Sequence, residues 1–483
     1  MGANPGKEQL MNKDTFRKEL HRFADWIADY YENVEGYPVK SNVQPGEILS
    51  ELNRGNCFEH VEMDTLLADF ERILLPGITH WQSPNFYAYF PANTSPPSIL
   101  AEMLTAALAQ QCMIWETSPA AAELEEYVMM QLRDMIGLPE TFTGVIQDSA
   151  STATLTALLM ARERATGYGI NDRGFAGERF RLYCSEEAHS SVEKGVKIAG
   201  FGKDNLVKVP VDGNFAMLPD ELEIRIHNDV QAGFVPLAVV SAMGTTGSTA
   251  FDPIRAIGKV ASKYGLFHHV DGAMAGTALI LPEMRHLADG VELVDSFVFN
   301  PHKWMFTNFD CSAFYVKDPD ELIRTFSITP EYLKTKRDEE VNNYRDWGIP
   351  LGRRFRALKL WFVIRGYGRE GLQAMIREHL RLAGLFAEKL NSRKDFQLLA
   401  PVAINTVCFR YVPLNYGGDL NELNARLLER LNSSGKLYLT HTKLRDQYTL
   451  RLVVGQTNTA ERHINEAFDF IVRQAEELCG KES

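Results

Sequence analysis

The chain has 483 residues, 45% of them hydrophobic and 24% charged. That is ordinary globular composition, long enough for two or three domains, and it excludes a disordered chain or a disulfide-stapled mini-protein. With 51 Lys+Arg against 63 Asp+Glu the formal charge is −12, which lacks the electrostatic footprint of a nucleic-acid or anionic-membrane binder.

The N-terminus, Met1 to Gly6, lacks an apolar signal-peptide core, and Gly6 stands where myristoylation asks for Ser or Thr. No apolar run approaches the ~18–20 residues of a membrane span. The cysteines Cys57, Cys112, Cys184, Cys311, Cys408 and Cys479 include no C-x-x-C pair, so neither a zinc clip nor a redox motif is expected. Free thiols fit a reducing compartment. The expectation is a soluble, cytoplasmic protein.

Residues 14–35 predict an amphipathic helix, with Phe16, Leu20, Phe23, Ile27 and Tyr30 or Tyr31 at helical spacing, ended by Gly36 and Pro38. A second helical stretch, 62–74, leads to a Pro/aromatic segment at 80–98. Helices set off in this way suit docking onto a partner subunit. From about residue 120 strands and helices alternate. Strands are expected at 144–147, 181–185, 237–242, 266–270, 296–299 and 312–316, with helices at 149–165 and 253–264. The fold class is therefore α/β, a mostly parallel sheet with helices on both faces. Ligands bind such sheets beyond the carboxyl ends of the strands.

Segment 319–350 is rich in charge and poor in apolar periodicity; it reads as a lid or a solvated connector. After a helix near 353–366, residues 370–483 read as a smaller α/β layer. Its expected strands are 405–411 and 447–454, its helices 419–432 and 459–478. Gly366-Tyr-Gly368-Arg-Glu-Gly371 matches G-x-G-x-x-G but follows a helix, so it is read as a helix-ending turn. His268 and His269 share one strand and point to opposite faces, so no metal is expected there.

The informative signal is Asn300-Pro301-His302-Lys303-Trp304, between the strands SFVF and CSAFYV. A lysine between buried strands is costly to leave charged and unpaired. Thirty-two residues earlier, Asp271 ends another apolar strand. Strand-end Asp plus strand-end Lys suits pyridoxal phosphate: the lysine forms a Schiff base with the aldehyde carbon, and the carboxylate keeps the ring nitrogen protonated. The turn Asp148-Ser149-Ala150-Ser151, opening a helix after GVIQ, offers backbone N–H groups and a helix dipole to a phosphate.

These motifs resemble the group II pyridoxal-phosphate decarboxylases, and among them the aromatic-L-amino-acid decarboxylases. The likeness covers nearly the whole chain and includes THWQSPNFYAYFP (79–91), GVIQDSASTATL (144–155), EEAHSSVEKG (186–195), GTTGSTAFDP (244–253) and DWGIPLGRRFRALKLWFV (346–363). The resemblance implies an aspartate-aminotransferase-like (type I) fold and a homodimer with active sites near the subunit interface. The implied domains are an N-terminal helical dimerisation segment (1–94), a large cofactor-binding domain (95–369) and a small C-terminal domain (370–483).

The resemblance also implies roles. Lys303 bonds pyridoxal 5'-phosphate, Asp271 pairs with its ring nitrogen, and Ala273 and His189 cover its two faces. Ser149, Ala150, Asn300 and His302 contact the phosphate, and Thr246 lies near the reacting end of the ring. Tyr332, on the suspected lid, matches the catalytic tyrosine that protonates Cα after carbon dioxide leaves. A phenol with pKa ~10 can donate there if the lid excludes water. Trp81, Tyr89, Phe90 and Pro91 supply aromatic pocket surface. Gly352 stands where histidine decarboxylases tend to have serine and leaves room for a larger ring.

The implied reaction is decarboxylation of dihydroxyphenylalanine, tyrosine, tryptophan or phenylalanine. An oxygen-dependent aldehyde synthase is the first alternative. That branch tends to replace the loop tyrosine or the stacking histidine, so Tyr332 and His189 argue against it. A decarboxylase of acidic or diamino acids is disfavoured by the aromatic segment. Ala92, Met113, Met274 and Asp148 depart from the residues usual in animal members. They read as a bacterial branch and leave the ring-hydroxyl preference open.

Overall fold

The computed structural model describes residues 11–55, 57–328 and 340–480. Its larger sheet contains β1 (Thr143–Gln147), β2 (Phe180–Ser185), β3 (Leu206–Val209), β4 (Val235–Ala242), β5 (Phe267–Asp271), β6 (Ser296–Phe299) and β7 (Ser312–Val316). The spatial order is β1-β7-β6-β5-β4-β2-β3. β7 runs antiparallel to both neighbours, and the remaining strands share one direction.

The side-chain alternation of these strands feeds two cores. Phe297, Phe299 and Tyr315 pack with Leu132, Leu279 and Leu360 on one face. Val298, Phe314 and Val240 pack with Leu158, Val192 and Val196 on the other. Being covered on both faces, β6 and β7 are apolar throughout apart from one serine each, as parallel-type sheets demand. This is the α/β arrangement expected. β3, with Lys208 on its exposed side, is an addition to the expected strands.

A buried ion pair ties β1 to its neighbours. Glu125, on the helix Pro119–Ile136, accepts from the Ile146 N–H at 2.9 Å and from Arg353 Nη2 at 2.6 Å. The same Nη2 donates to the Ile146 carbonyl at 2.8 Å. Removing the carboxylate strands a guanidinium away from water. Glu125→Ala is therefore expected to cost about 3–5 kcal/mol of stability, read from urea unfolding. A loss under about 1 kcal/mol would show that Arg353 finds another partner.

The smaller sheet contains β8 (Phe396–Leu398), β9 (Thr406–Tyr411), β10 (Thr440–Leu444) and β11 (Gln447–Val453). It is antiparallel throughout, in the order β10-β11-β9-β8. Leu427, Leu431, Ile464 and Ile471, from the helices Leu420–Ser433 and Glu461–Gly480, pack against Val407, Phe409, Leu450 and Leu452. One helix, Arg356–Asn391, serves both layers. Leu360 and Val363 join the larger core, while Leu382 and Phe386 join the smaller one.

That helix was expected to stop at Gly366. Instead it breaks at Gly368, with φ 66° and ψ 171°, and resumes. A positive φ is cheap only for glycine, and the resumed half is held first by the larger core, through Leu372 and Ile376, and then by the smaller one. The N-terminal helix runs Lys13–Asn33 and leaves Phe16, Leu20 and Phe23 exposed. Among the described residues no helix is long and apolar enough to cross a membrane.

Candidate active site

Because six strands point the same way, their carboxyl ends gather residues distant in sequence along one edge. A cavity of about 190 Å³ opens there, lined by Ser149, Ala150, His189, Thr246, Asp271, Ala273, Asn300, His302 and Lys303 among others. Nine of the residues expected from the sequence to hold a cofactor thus meet in one place. Tyr332 lies outside the described residues.

Lys303 sits in the short helix Pro301–Trp304 directly after β6. Burial pushes its ammonium below the ordinary lysine range, and the charge of Asp271 opposes that shift. A larger share of amine is then neutral and nucleophilic. Asp271 ends β5, and one of its oxygens accepts from the Ala273 N–H at 3.0 Å.

Ser149 caps the helix Ala150–Ala165, its Oγ accepting from the Thr152 N–H at 3.3 Å. The other first-turn N–H groups, which a helix leaves without internal partners, belong to Ala150 and Ser151, and both residues line the cavity. Asn300 Oδ1 accepts from Ser312 Oγ at 2.7 Å, and His302 Nδ1 accepts from the Cys311 N–H at 2.9 Å. Burial, with Lys303 beside it, pushes His302 down to about 3, so the ring is neutral and its other nitrogen carries a hydrogen. A neutral donor, backbone N–H groups and an amide suit a phosphate in chemical kind.

His189 caps the helix Ser190–Ile198: its Nδ1 accepts from the Ser191 N–H at 3.1 Å. One geometry thus lets this histidine cap the helix and line the cavity. Desolvation lowers its imidazole below the usual value; Asp271 opposes this and Lys303 adds to it. Donors, a carboxylate, a lysine and flat faces together fit pyridoxal phosphate. Gly244 also lines the cavity, with φ 89°, and a Cβ there would lie 2.6 Å from that of Ala275.

The expected substrate residues are placed less uniformly. The Phe90 ring lies 5.3 Å from Lys303 Nζ and walls the cavity. Tyr89 lines a wider adjoining cleft, which shares His189 and Thr246 with the cavity. Trp81 stacks behind Tyr89 at 5.8 Å. Pro91 is buried against Gly455. Gly352 is exposed beside Gln111 and lines neither space within its own chain. Its neighbour Arg353 donates to Glu125 at 2.6 Å.

Phe309, whose ring lies 4.6 Å from His302, is a lining residue that sequence reasoning missed. Its place between two strands at the sheet edge was the available signal. His268 and His269 are fully buried and hydrogen-bond Ser241 Oγ (2.7 Å) and Ser296 Oγ (2.8 Å), joining neighbouring strands. Among the described residues no group of three or more His, Cys, Asp or Glu gathers around a metal position.

A family model for the pyridoxal-dependent decarboxylase conserved domain matches residues 45–412. Phenylacetaldehyde synthase of Arabidopsis thaliana is 43% identical over 484 residues, covering 98% of each chain. The crystal structure of Catharanthus roseus tryptophan decarboxylase with L-tryptophan is 38% identical, with TM-score 0.92, over 97% of this chain and 100% of that one. The structure of Oryza sativa TDC with PLP and tryptamine is 35% identical, with TM-score 0.94, over 97% and 99%.

Proposed function

The chain belongs to the pyridoxal-dependent decarboxylase family, and from that premise we propose that it removes the α-carboxylate of an aromatic L-amino acid, releasing the amine and carbon dioxide. The observation that carries this reading is the Phe90 ring beside the Lys303 amine, with Tyr89 and Trp81 stacked beyond it. Aromatic side chains stack on such surface. The similar Catharanthus roseus and Oryza sativa proteins, solved with L-tryptophan and tryptamine, support the same substrate class.

Bound pyridoxal phosphate supplies an electron sink for the carbon–carbon bond cleavage. In this reading Lys303 bonds the cofactor's aldehyde carbon through its amine. Asp271 holds a proton on the ring nitrogen. His189 and Ala273 flank the ring, and Ser149, Ala150, Asn300 and His302 hold the phosphate. Thr246 faces the mouth. Tyr332, known here from sequence alone, returns a proton to Cα.

The working unit in this reading is a homodimer. Leu100, Met103, Leu104 and Leu108 form an exposed apolar stripe on the helix Pro96–Leu108, as do Phe16, Leu20 and Phe23 on the N-terminal helix. Stripes of that kind favour burial against a second copy. The division into 1–94, 95–369 and 370–483 is part of the same proposal. The six free thiols support a reducing, cytoplasmic setting.

The test is a panel of dihydroxyphenylalanine, tyrosine, tryptophan and phenylalanine, with carbon dioxide and amine both measured. Equimolar release from at least one is expected. No carbon dioxide from any would overturn the reading. Aldehyde and peroxide in place of amine would move it to the oxygen-dependent aldehyde synthases.

A further inference from the structure

Two buried hydrogen-bonded arms reach the segment that carries Lys303, and both start from residues 455–457, just beyond β11. On one side the Asn93 N–H donates to the His302 carbonyl at 3.0 Å. The Asn93 side chain donates to the Gly455 carbonyl at 2.7 Å, and Thr457 Oγ1 donates to Asn93 Oδ1. On the other side Trp304 Nε1 donates to His379 Nδ1 at 2.9 Å. The Gln456 main chain hydrogen-bonds the His379 ring as well. Asn93, Trp304, His379 and Gln456 are all at most 3% exposed.

We infer that residues 455–457 act through Asn93 and His379 as a two-point clamp on His302 and Trp304, setting the position of Lys303 between them. Asn93 and His379 are positioning residues; neither lines the cavity. The His379 arm requires one tautomer. Nδ1 must be bare to accept from Trp304, so the hydrogen is on Nε2, where the Gln456 carbonyl can accept it. Burial lowers this histidine to about 4, which keeps the ring neutral near pH 7. A clamp of this kind matters because small misplacements of a reacting group cost large factors in rate.

The inference rests on Lys303 being the lysine that bonds the cofactor. That reading fails on its own if borohydride reduction of the loaded, unaltered protein leaves no cofactor on the Lys303 peptide. The clamp is tested in the full chain with His379→Phe and His379→Asn, the latter keeping an acceptor near the Nδ1 position. Two readouts are used: kcat and KM of the loaded enzyme, and the pH profile of Lys303 acetylation by acetic anhydride after cofactor removal, followed by mass spectrometry. His379→Phe is expected to lower kcat about 10-fold with KM changed less than about two-fold. The acetylation midpoint should rise, because a displaced Lys303 leaves its desolvating wall. His379→Asn should recover at least half of both effects. If His379→Phe does not fold, Asn93→Ala reads the other arm and should show the same pair of changes. An unchanged acetylation profile in a folded His379→Phe or Asn93→Ala protein overturns the clamp, as does equal loss in His379→Phe and His379→Asn.

Discussion

Lys303→Ala is expected to lower kcat by about 10⁴-fold or more while leaving the protein folded. The two halves of that expectation have one cause. Lys303 sits in a cavity whose desolvation disfavours its charge, with Asp271 as the compensating group. A desolvated ammonium contributes little to stability, and Asp271, half-buried and still accepting from the Ala273 N–H, is not left without water or a partner as Arg353 is, so alanine removes a reactive group without removing a structural one. The urea midpoint should stay level or rise, in contrast to Glu125→Ala. Single-turnover rates and urea unfolding on the same preparation test both halves. A kcat within about tenfold of the unaltered enzyme would assign the cofactor bond to another lysine.

Asp271→Asn is expected to lower kcat by about 10²–10⁴-fold. The amide keeps the shape, and its oxygen can still accept from the Ala273 N–H. What is lost is the negative charge that would hold a proton on the ring nitrogen. The same charge raises Lys303 against the effect of burial. Its removal should therefore lower the Lys303 acetylation midpoint in the cofactor-free protein, the opposite sign to that expected for His379→Phe. Retention of kcat within about threefold would take Asp271 out of its assigned role.

The large sheet was legible because strands covered on both faces must be apolar at nearly every position, as SFVF and SAFYV are. Leu-Val-Lys-Val at β3 and Thr-His-Thr-Lys-Leu at β10 were not, because edge strands carry charge and alternate. The helix Pro96–Leu108 escaped notice because it opens on two prolines, which punctuate most segments yet fit a helix's first turn.

The cavity was legible for a topological reason. Residues that follow parallel strands must meet at one edge, so Ser149, Asp271 and Lys303 could be placed together from strand ends, while His189 was expected from the family resemblance. The supports behind them could not. Asn93 meets Gly455 across 362 positions and Trp304 meets His379 across 75. No local pattern of spacing or polarity marks such pairs before the two layers are packed.

The reversed direction of β7 limits how this chain can vary in length. β6 ends and β7 begins at the same edge of the sheet, so residues 300–311 leave and return without a crossover helix. Both ends are fixed, by Asn300 N–H to the Ala273 carbonyl at 2.8 Å and by the His302–Cys311 main-chain bond at 3.2 Å. One inserted residue adds up to about 3.3–3.6 Å of chain, and in so short a return that slack falls beside cavity-lining residues, His302 and Lys303 at one end or Phe309 near the other. Residues 171–177, exposed throughout and feeding the far edge at β2, can lengthen freely. Insertional tolerance in this protein is thus a map of strand direction: open where strands begin, closed where β6 turns back into β7.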